Sequence, residues 1–166
     1  MTKLTIDYVY GDVTNPIGGG VRIIGSLSND AGGWGAGLVI QISRRWAEPE
    51  RQYRRWYRMR GLPDLPFALG QIQFVQVAPE LYVANILGQH GYYRKGGPPA
   101  VRYDALREGL ARLRQFAEQH GASVHLPRIG CGLAHGSWDQ VEPIIREELC
   151  ANNIEVIVYD LPPRGR

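Results

Sequence analysis

Apolar and polar positions along the chain switch between two periods, and the switches mark its elements. Ile6, Tyr8 and Tyr10 alternate with Thr5, Asp7 and Val9, the period-two pattern of a strand. Val21 to Leu27 is an apolar run of strand length, as expected of a buried strand. From Ala36 the period lengthens. Leu38, Val39, Ile42 and Trp46 recur at helical spacing, and Pro49 to Met59 continues as a second helix. Gly61-Leu62-Pro63-Asp64-Leu65-Pro66 breaks that pattern. Gln71 to Val77 and Leu81 to Leu87 read as strands, joined through Ala78-Pro79-Glu80 into a hairpin. Tyr103, Leu106, Leu110, Leu113 and Phe116 form one stripe of an amphipathic helix over Val101 to His120. Ala122 to Leu126 reads as a short buried strand, Trp138 to Leu149 as a helix, and Ile154 to Tyr159 as the last strand. Strands interleaved with helices predict an α/β fold, a mixed sheet with helices on both faces. No repeat, low-complexity segment or linker divides the chain, so residues 1–166 read as one domain.

The chemistry gathers at two of the strand-to-helix junctions. The first is Ser28-Asn29-Asp30-Ala31-Gly32-Gly33-Trp34-Gly35-Ala36-Gly37, which opens a helix whose N-terminus favours anions. Its spacing matches neither a P-loop nor the dinucleotide fingerprint. The second is Ile129-Gly130-Cys131-Gly132-Leu133, after the strand ending at Leu126. Two glycines around one small residue let the backbone turn and present successive N–H groups, an anion-binding concavity. In open α/β sheets, ligands sit beyond the carboxyl ends of strands. A tight connection with no ligand is the alternative for either loop alone. Asp12, just past the first strand, either accepts hydrogen bonds from a ligand amine or stabilises a turn. The polar and aromatic stretch Gly88 to Pro99 has the length of a functional loop.

Composition narrows the partners. Hydrophobic residues make up 44% and charged residues 21% of the chain, an ordinary globular balance. No apolar run is long enough to span a membrane and no signal-peptide pattern opens the chain, which makes a cytoplasmic location the expectation. Cys131 and Cys150 have no metal-ligand spacing, and no metal or cofactor is implied. Net charge is +3, with Arg44, Arg45, Arg51, Arg54, Arg55, Arg58 and Arg60 reading as one helix face and its end. Such a face either contacts nucleic acid or another anionic partner, or is simply solvated.

Taken together, these segments resemble the macrodomain family of ADP-ribose-binding α/β/α proteins. Ile6-Asp7-Tyr8-Val9-Tyr10-Gly11-Asp12 looks like the family's opening strand and adenine-contacting acid, and Gly33-Trp34-Gly35-Ala36-Gly37 like its first ligand loop. Pro127-Arg128-Ile129-Gly130-Cys131-Gly132-Leu133 is similar to the second loop of the terminal ADP-ribose protein glycohydrolase subgroup, as is the closing Val158-Tyr159-Asp160-Leu161. The resemblance implies a three-layer α/β/α fold around a mixed central sheet. It implies that Asp12 and Val13 meet adenine, that Asn29 contacts the distal ribose, and that Trp34, Gly35, Ala36 and Gly37 with Ile129, Gly130, Cys131, Gly132 and Leu133 hold the diphosphate and distal ribose. Tyr159 either packs on adenine or belongs to the core.

One departure bears on mechanism. The subgroup carries an Asp directly after Gly-Cys-Gly-Leu and a Lys just past the hairpin, where this chain has Ala134 and, near the second position, Gln89. His135 and His90 are either general bases or surface histidines. The expectation is a hydrolase that removes ADP-ribose from glutamate or aspartate of mono-ADP-ribosylated proteins, with Gly132, Gln89, His135 and Asn29 orienting water and the reacting ribose. Rival expectations are hydrolysis of ADP-ribose 1″-phosphate or O-acetyl-ADP-ribose, binding without catalysis, and ADP-ribosylated DNA as substrate.

Overall fold

The structure is a computed structural model that describes residues 4–163. In chain order it runs β1 (Ile6–Tyr10), β2 (Arg22–Asn29), α1 (Leu38–Arg45), α2 (Glu48–Arg58), β3 (Ile72–Ala78), β4 (Leu81–Gln89), α3 (Tyr103–His120), β5 (Ser123–Leu126), α4 (Trp138–Glu148), a 3-10 turn over Cys150–Asn152, and β6 (Val156–Asp160). The strands form one sheet in the order β1-β6-β5-β2-β4-β3. Every neighbouring pair is parallel except β3 and β4, which the short Pro79-Glu80 turn joins antiparallel. This is the mixed α/β sheet expected from the sequence.

Alternation along the inner strands builds two cores, one on each face. Ile23 points into a core formed with Leu106, Leu110 and Leu113 of α3 and Val141 and Ile145 of α4. Its neighbour Ile24 points the other way, toward Val39 and Ile42 of α1 and Tyr53 and Trp56 of α2. All eleven side chains are at least nine-tenths buried, so each face of β2 is covered and the layers are α/β/α. Burying a residue of this kind contributes about 1.5–3 kcal/mol, which is why the central strands read as continuous apolar runs. The helix α3 ends in left-handed Gly121, whose N–H donates to Ala117, and β5 begins two residues later.

Two boundaries matter for the site. β2 and β4 each extend two residues beyond their apolar runs, so that Asn29 pairs with Gln89 across a register shift at Ser28. Both residues are therefore fixed at the carboxyl edge of the sheet. The arginines do not share one helix face. Extended Trp46 separates α1 from α2, and Arg45 turns back to pair with Asp12 at 3.2 Å. On α2, Arg51 pairs with Glu48, and Arg54 with Glu50 at 2.8 Å. Three of the seven arginines are thus paired with carboxylates of the fold.

One buried polar network supports the sheet beneath the site. The backbone N–H of Ile17 donates to the Tyr159 hydroxyl at 3.0 Å, and that hydroxyl lies 2.7 Å from His125 Nδ1, within hydrogen-bond distance. The other ring nitrogen, Nε2, lies 2.8 Å from Ser123 Oγ, so both nitrogens of His125 have a hydroxyl partner. His125 has no solvent exposure, and burial, helped by Arg22, pulls its pKa down to about 4. No helix among the described residues is long and apolar enough to cross a membrane.

Candidate ligand cleft

The parallel strands β2, β4 and β5 end on one edge, and the two glycine loops rise from it. Between them lie two adjoining hollows of about 260 and 330 Å3, which share Leu27, Ala36, Val39, Gln89 and Leu133 as a common floor and rim. The first hollow reaches toward Pro127 and Arg128, and the second toward Asn29, Tyr92 and Tyr93. Sheet order gives the cleft a direction. β1 and Asp12 lie on the far side of β6 and β5, so the second hollow, over β2 and β4, is the end away from Asp12.

Backbone donors converge on this cleft. Cys131 N–H turns inward to Arg128 and Ile129 N–H to Pro127, but among the described residues the N–H groups of Gly130, Gly132, Leu133 and Ala134 meet no protein acceptor. The same holds for Gly35, Ala36 and Gly37 on the opposite wall. Gly37, at φ +84°, precedes the first turn of α1 and aims that helix N-terminus at the cleft. The cation nearest the site does not compete for this role. Arg128 lies over the rings of Tyr8 and Trp138 and makes two 2.9 Å hydrogen bonds to Asp160, the paired geometry that holds its charge. An anion in the cleft therefore meets mostly amide dipoles, as in other backbone anion sites.

The residues singled out from sequence divide sharply. Gly35, Ala36, Gly37, Gly130, Gly132, Leu133, Gln89, Asn29, His135 and Ile129 all border one hollow or the other. Trp34 does not. Its ring is buried against Tyr53, 5.3 Å between centroids, and its indole N–H donates to Ser43. Val13 is buried in the α1–α2 core, and Tyr159 lies in the core, 5% exposed, with its hydroxyl engaged by Ile17 and His125. Cys131 places its Sγ 3.5 Å from the Ile129 carbonyl, and burial pushes its thiol up against a smaller opposing pull from Arg128, the reverse of an activated nucleophile. Asp12 sits outside both hollows. Its carboxylate accepts from the Thr14 N–H at 2.9 Å, the Thr14 hydroxyl at 2.6 Å and Arg45. Burial raises its pKa, but those bonds outweigh burial and the net shift is downward.

The glycines also divide. Gly130 has φ +78°, and a Cβ there would stand 3.0 Å from Val101 Cγ2. Gly132 has no positive φ, and a Cβ on it would meet nothing within 4 Å. Of the two loop glycines, it is Gly130 that the turn requires. Asn29 is committed to shaping the first loop. Its Oδ1 accepts from the N–H groups of Ala31 and Gly33, and its Nδ2 donates to the Gly33 carbonyl, each at 3.0 Å.

The sequence marks Gly88 to Pro99 as a functional loop but does not single out its aromatic residues. Tyr92 and Tyr93 line the second hollow, and Tyr93 stacks on His135 with centroids 3.6 Å apart and planes 14° from parallel. His135 itself is left-handed, at φ +58°. The only signal available was a pair of tyrosines in an unusually long loop. Among the described residues, no group of three or more His, Cys, Asp or Glu is placed to hold a metal ion.

Comparison with known proteins adds the relatives. No family model matches the chain. A solved structure described as a macrodomain protein from Streptomyces coelicolor is 48% identical, superposes with a TM-score of 0.82, and is matched over 95% of this chain and 99% of that one. The mouse chromodomain-helicase-DNA-binding protein 1-like is 32% identical over 167 residues, 98% of this chain but 18% of the relative. The bovine ADP-ribose glycohydrolase OARD1 is 33% identical over 86 residues, 49% of this chain and 57% of the relative. The chain thus spans less than a fifth of the mouse relative it matches end to end.

Proposed function

The chain belongs to the macrodomain family, and from that premise we propose that it binds ADP-ribose in the cleft and hydrolyses ADP-ribose esters on glutamate or aspartate side chains of proteins. The observation that carries the reading is the convergence of unpaired N–H groups from Gly35–Gly37 and from Gly130 and Gly132–Ala134 on one cleft. A diphosphate between them is held by donors that pay no conformational penalty when it arrives. The adenosine half extends toward Asp12 and the distal ribose toward Asn29 and Gln89. The partial match to a bovine ADP-ribose glycohydrolase supports hydrolysis over binding alone.

In the reaction, water attacks the anomeric carbon of the distal ribose, the bond from that carbon to the ester oxygen breaks, and the side-chain carboxylate leaves. One water proton passes to solvent and the hydroxyl stays on the ribose. A carboxylate is a good leaving group, so orientation supplies most of the acceleration. Gln89 and His135 border the second hollow and are the polar side chains suited to orienting that water. Ala134 is buried and offers no carboxylate there. This is the observation that favours the second reading, a protein that binds ADP-ribosylated targets without turnover.

The test is a panel of glutamate-linked protein, ADP-ribose 1″-phosphate, O-acetyl-ADP-ribose and ADP-ribosylated DNA, assayed for release of ADP-ribose. Release from the glutamate-linked protein above all others is the expected result. Binding of free ADP-ribose with no release from any member replaces the hydrolase with the binding protein. Preference for the phosphate, the acetyl ester or the DNA adduct keeps the cleft and changes the leaving group.

A further inference from the structure

The end of β2 carries two adjacent polar residues that pin opposite walls of the second hollow. Asn29 pins the first glycine loop at Gly33, through the Gly33 N–H and carbonyl. Asp30 pins the β4–α3 loop at Gly91. Its Oδ1 accepts from the Gly91 N–H at 2.8 Å, its Oδ2 lies 2.7 Å from His90 Nδ1, and its own N–H donates to the Gln89 carbonyl at 3.0 Å. The other side of Gly91 is held as well, because its carbonyl accepts from Gln89 Nε2 at 2.9 Å. Gly91 is left-handed, at φ +55°, a turn that sends the next two residues back across the cleft.

Those two residues close the circuit. The Tyr92 phenol lies so close to Gly33 that a Cβ on Gly33 could not fit beside it. Tyr93 stacks on His135, in the second glycine loop. Residues 91–93 are thus a strap that touches both glycine loops at the end of the cleft away from Asp12. Beyond Gly33 and His135, the strap is an exposed loop. Tyr92 is 62% exposed, and a chain of this kind holds one position only where something grips it.

We propose that Asp30 is a positioning residue: by gripping Gly91 it sets Tyr92 and Tyr93 as the wall against the distal ribose, and so governs binding of ADP-ribose but not of ADP. The inference rests on the reading of the cleft as an ADP-ribose site. Its chemistry is local. A carboxylate bond to a backbone N–H is charge-assisted and stronger than a neutral bond, and here it is only partly exposed, with 23% of the Asp30 side chain accessible. Removing the carboxylate frees Gly91 on one side and lets both rings leave the distal end. The diphosphate donors sit on other residues and stay in place.

Calorimetry with ADP-ribose and with ADP tests this on the parent protein, Asp30→Ala, Asp30→Asn, Tyr92→Ala and the Asp30→Ala/Tyr92→Ala double variant, with thermal melting to confirm folding. Asp30→Ala is expected to weaken ADP-ribose about tenfold, the loss of one charge-assisted bond, and to leave ADP unchanged. Tyr92→Ala, at an exposed tip, gives the same selective loss, and the double variant is no worse than the weaker single. Asp30→Asn keeps an oxygen for the Gly91 N–H and recovers most of the affinity. Equal loss of both ligands in Asp30→Ala, or no loss of either, overturns the latch while the cleft reading stands. A parent protein that binds neither ligand overturns the cleft reading and the latch with it.

Discussion

The two ends of the cleft are made of different materials. The end at Gly37 and Gly130 offers backbone donors, fixed by left-handed glycines and by the start of α1. The end at Tyr92, Tyr93 and His135 offers side-chain faces, held by contacts between residues far apart in the chain. A backbone site tolerates many side-chain changes and fails when a glycine is replaced. A side-chain site tolerates a moved loop only while its grips survive. The first end suits a group that never varies, such as a diphosphate. The second can be retuned by substitution, so differences in leaving group between relatives are expected to concentrate there.

The largest effect does not distinguish the ends, because both stand on the same sheet. The pKa of His125 is lowered from 6.5 to about 4 in the folded protein. Between those values the unfolded chain binds a proton that the folded one excludes. Stability is therefore full above about pH 6.5 and falls as pH drops toward 4, by about 3 kcal/mol in all. Urea melts across that window should show the slope, and His125→Leu should flatten it. An unaltered slope in the variant assigns the acid sensitivity to other groups.

Next in size is Gly130→Ala, which forces a Cβ into φ +78° and against Val101. About 2 kcal/mol, roughly thirtyfold, is expected in the affinity of ADP and ADP-ribose alike, because the backbone end serves both. Calorimetry showing loss of ADP-ribose alone would erase the proposed division. Tyr93→Ala removes the stack on His135 and should cost about 1 kcal/mol, near fivefold, for ADP-ribose only. The smallest effect is Gly132→Ala, within about 0.5 kcal/mol in a thermal melt, since its Cβ meets open space. A large destabilisation there would mean that Gly132, not Gly130, carries the turn.

The same division explains what the sequence made legible. Periodicity located each strand and helix to within about two residues, because most are covered on the faces their pattern describes; β1 is an exception, with Tyr8 and Tyr10 of its alternating set exposed. The backbone end of the cleft was legible too, since glycine spacing records where a chain must turn and expose N–H groups. The position of the strain was not, because Gly130 and Gly132 differ only in what Val101 and the turn impose on them. The family resemblance made Trp34 and Val13 ligand contacts and left Tyr159 between ligand and core. Their direction is set instead by the packing of α1 and α2 against the sheet, and it buries them. The break at Trp46, which splits the arginines between two helices, leaves no mark in their spacing. Tyr93 and His135 meet only in three dimensions, and no local pattern links them.

On this reading the unpaired amides of the two glycine loops form the cradle for ADP-ribose. Amide shifts in a 15N–1H spectrum, followed as ADP-ribose is added, test it most directly. Gly35, Ala36, Gly37, Gly130, Gly132, Leu133 and Ala134 are expected to move together along one saturable curve, while inward-bonded Ile129 and Cys131 move less. Saturable shifts centred elsewhere on the molecule, or none at millimolar ligand, would contradict it.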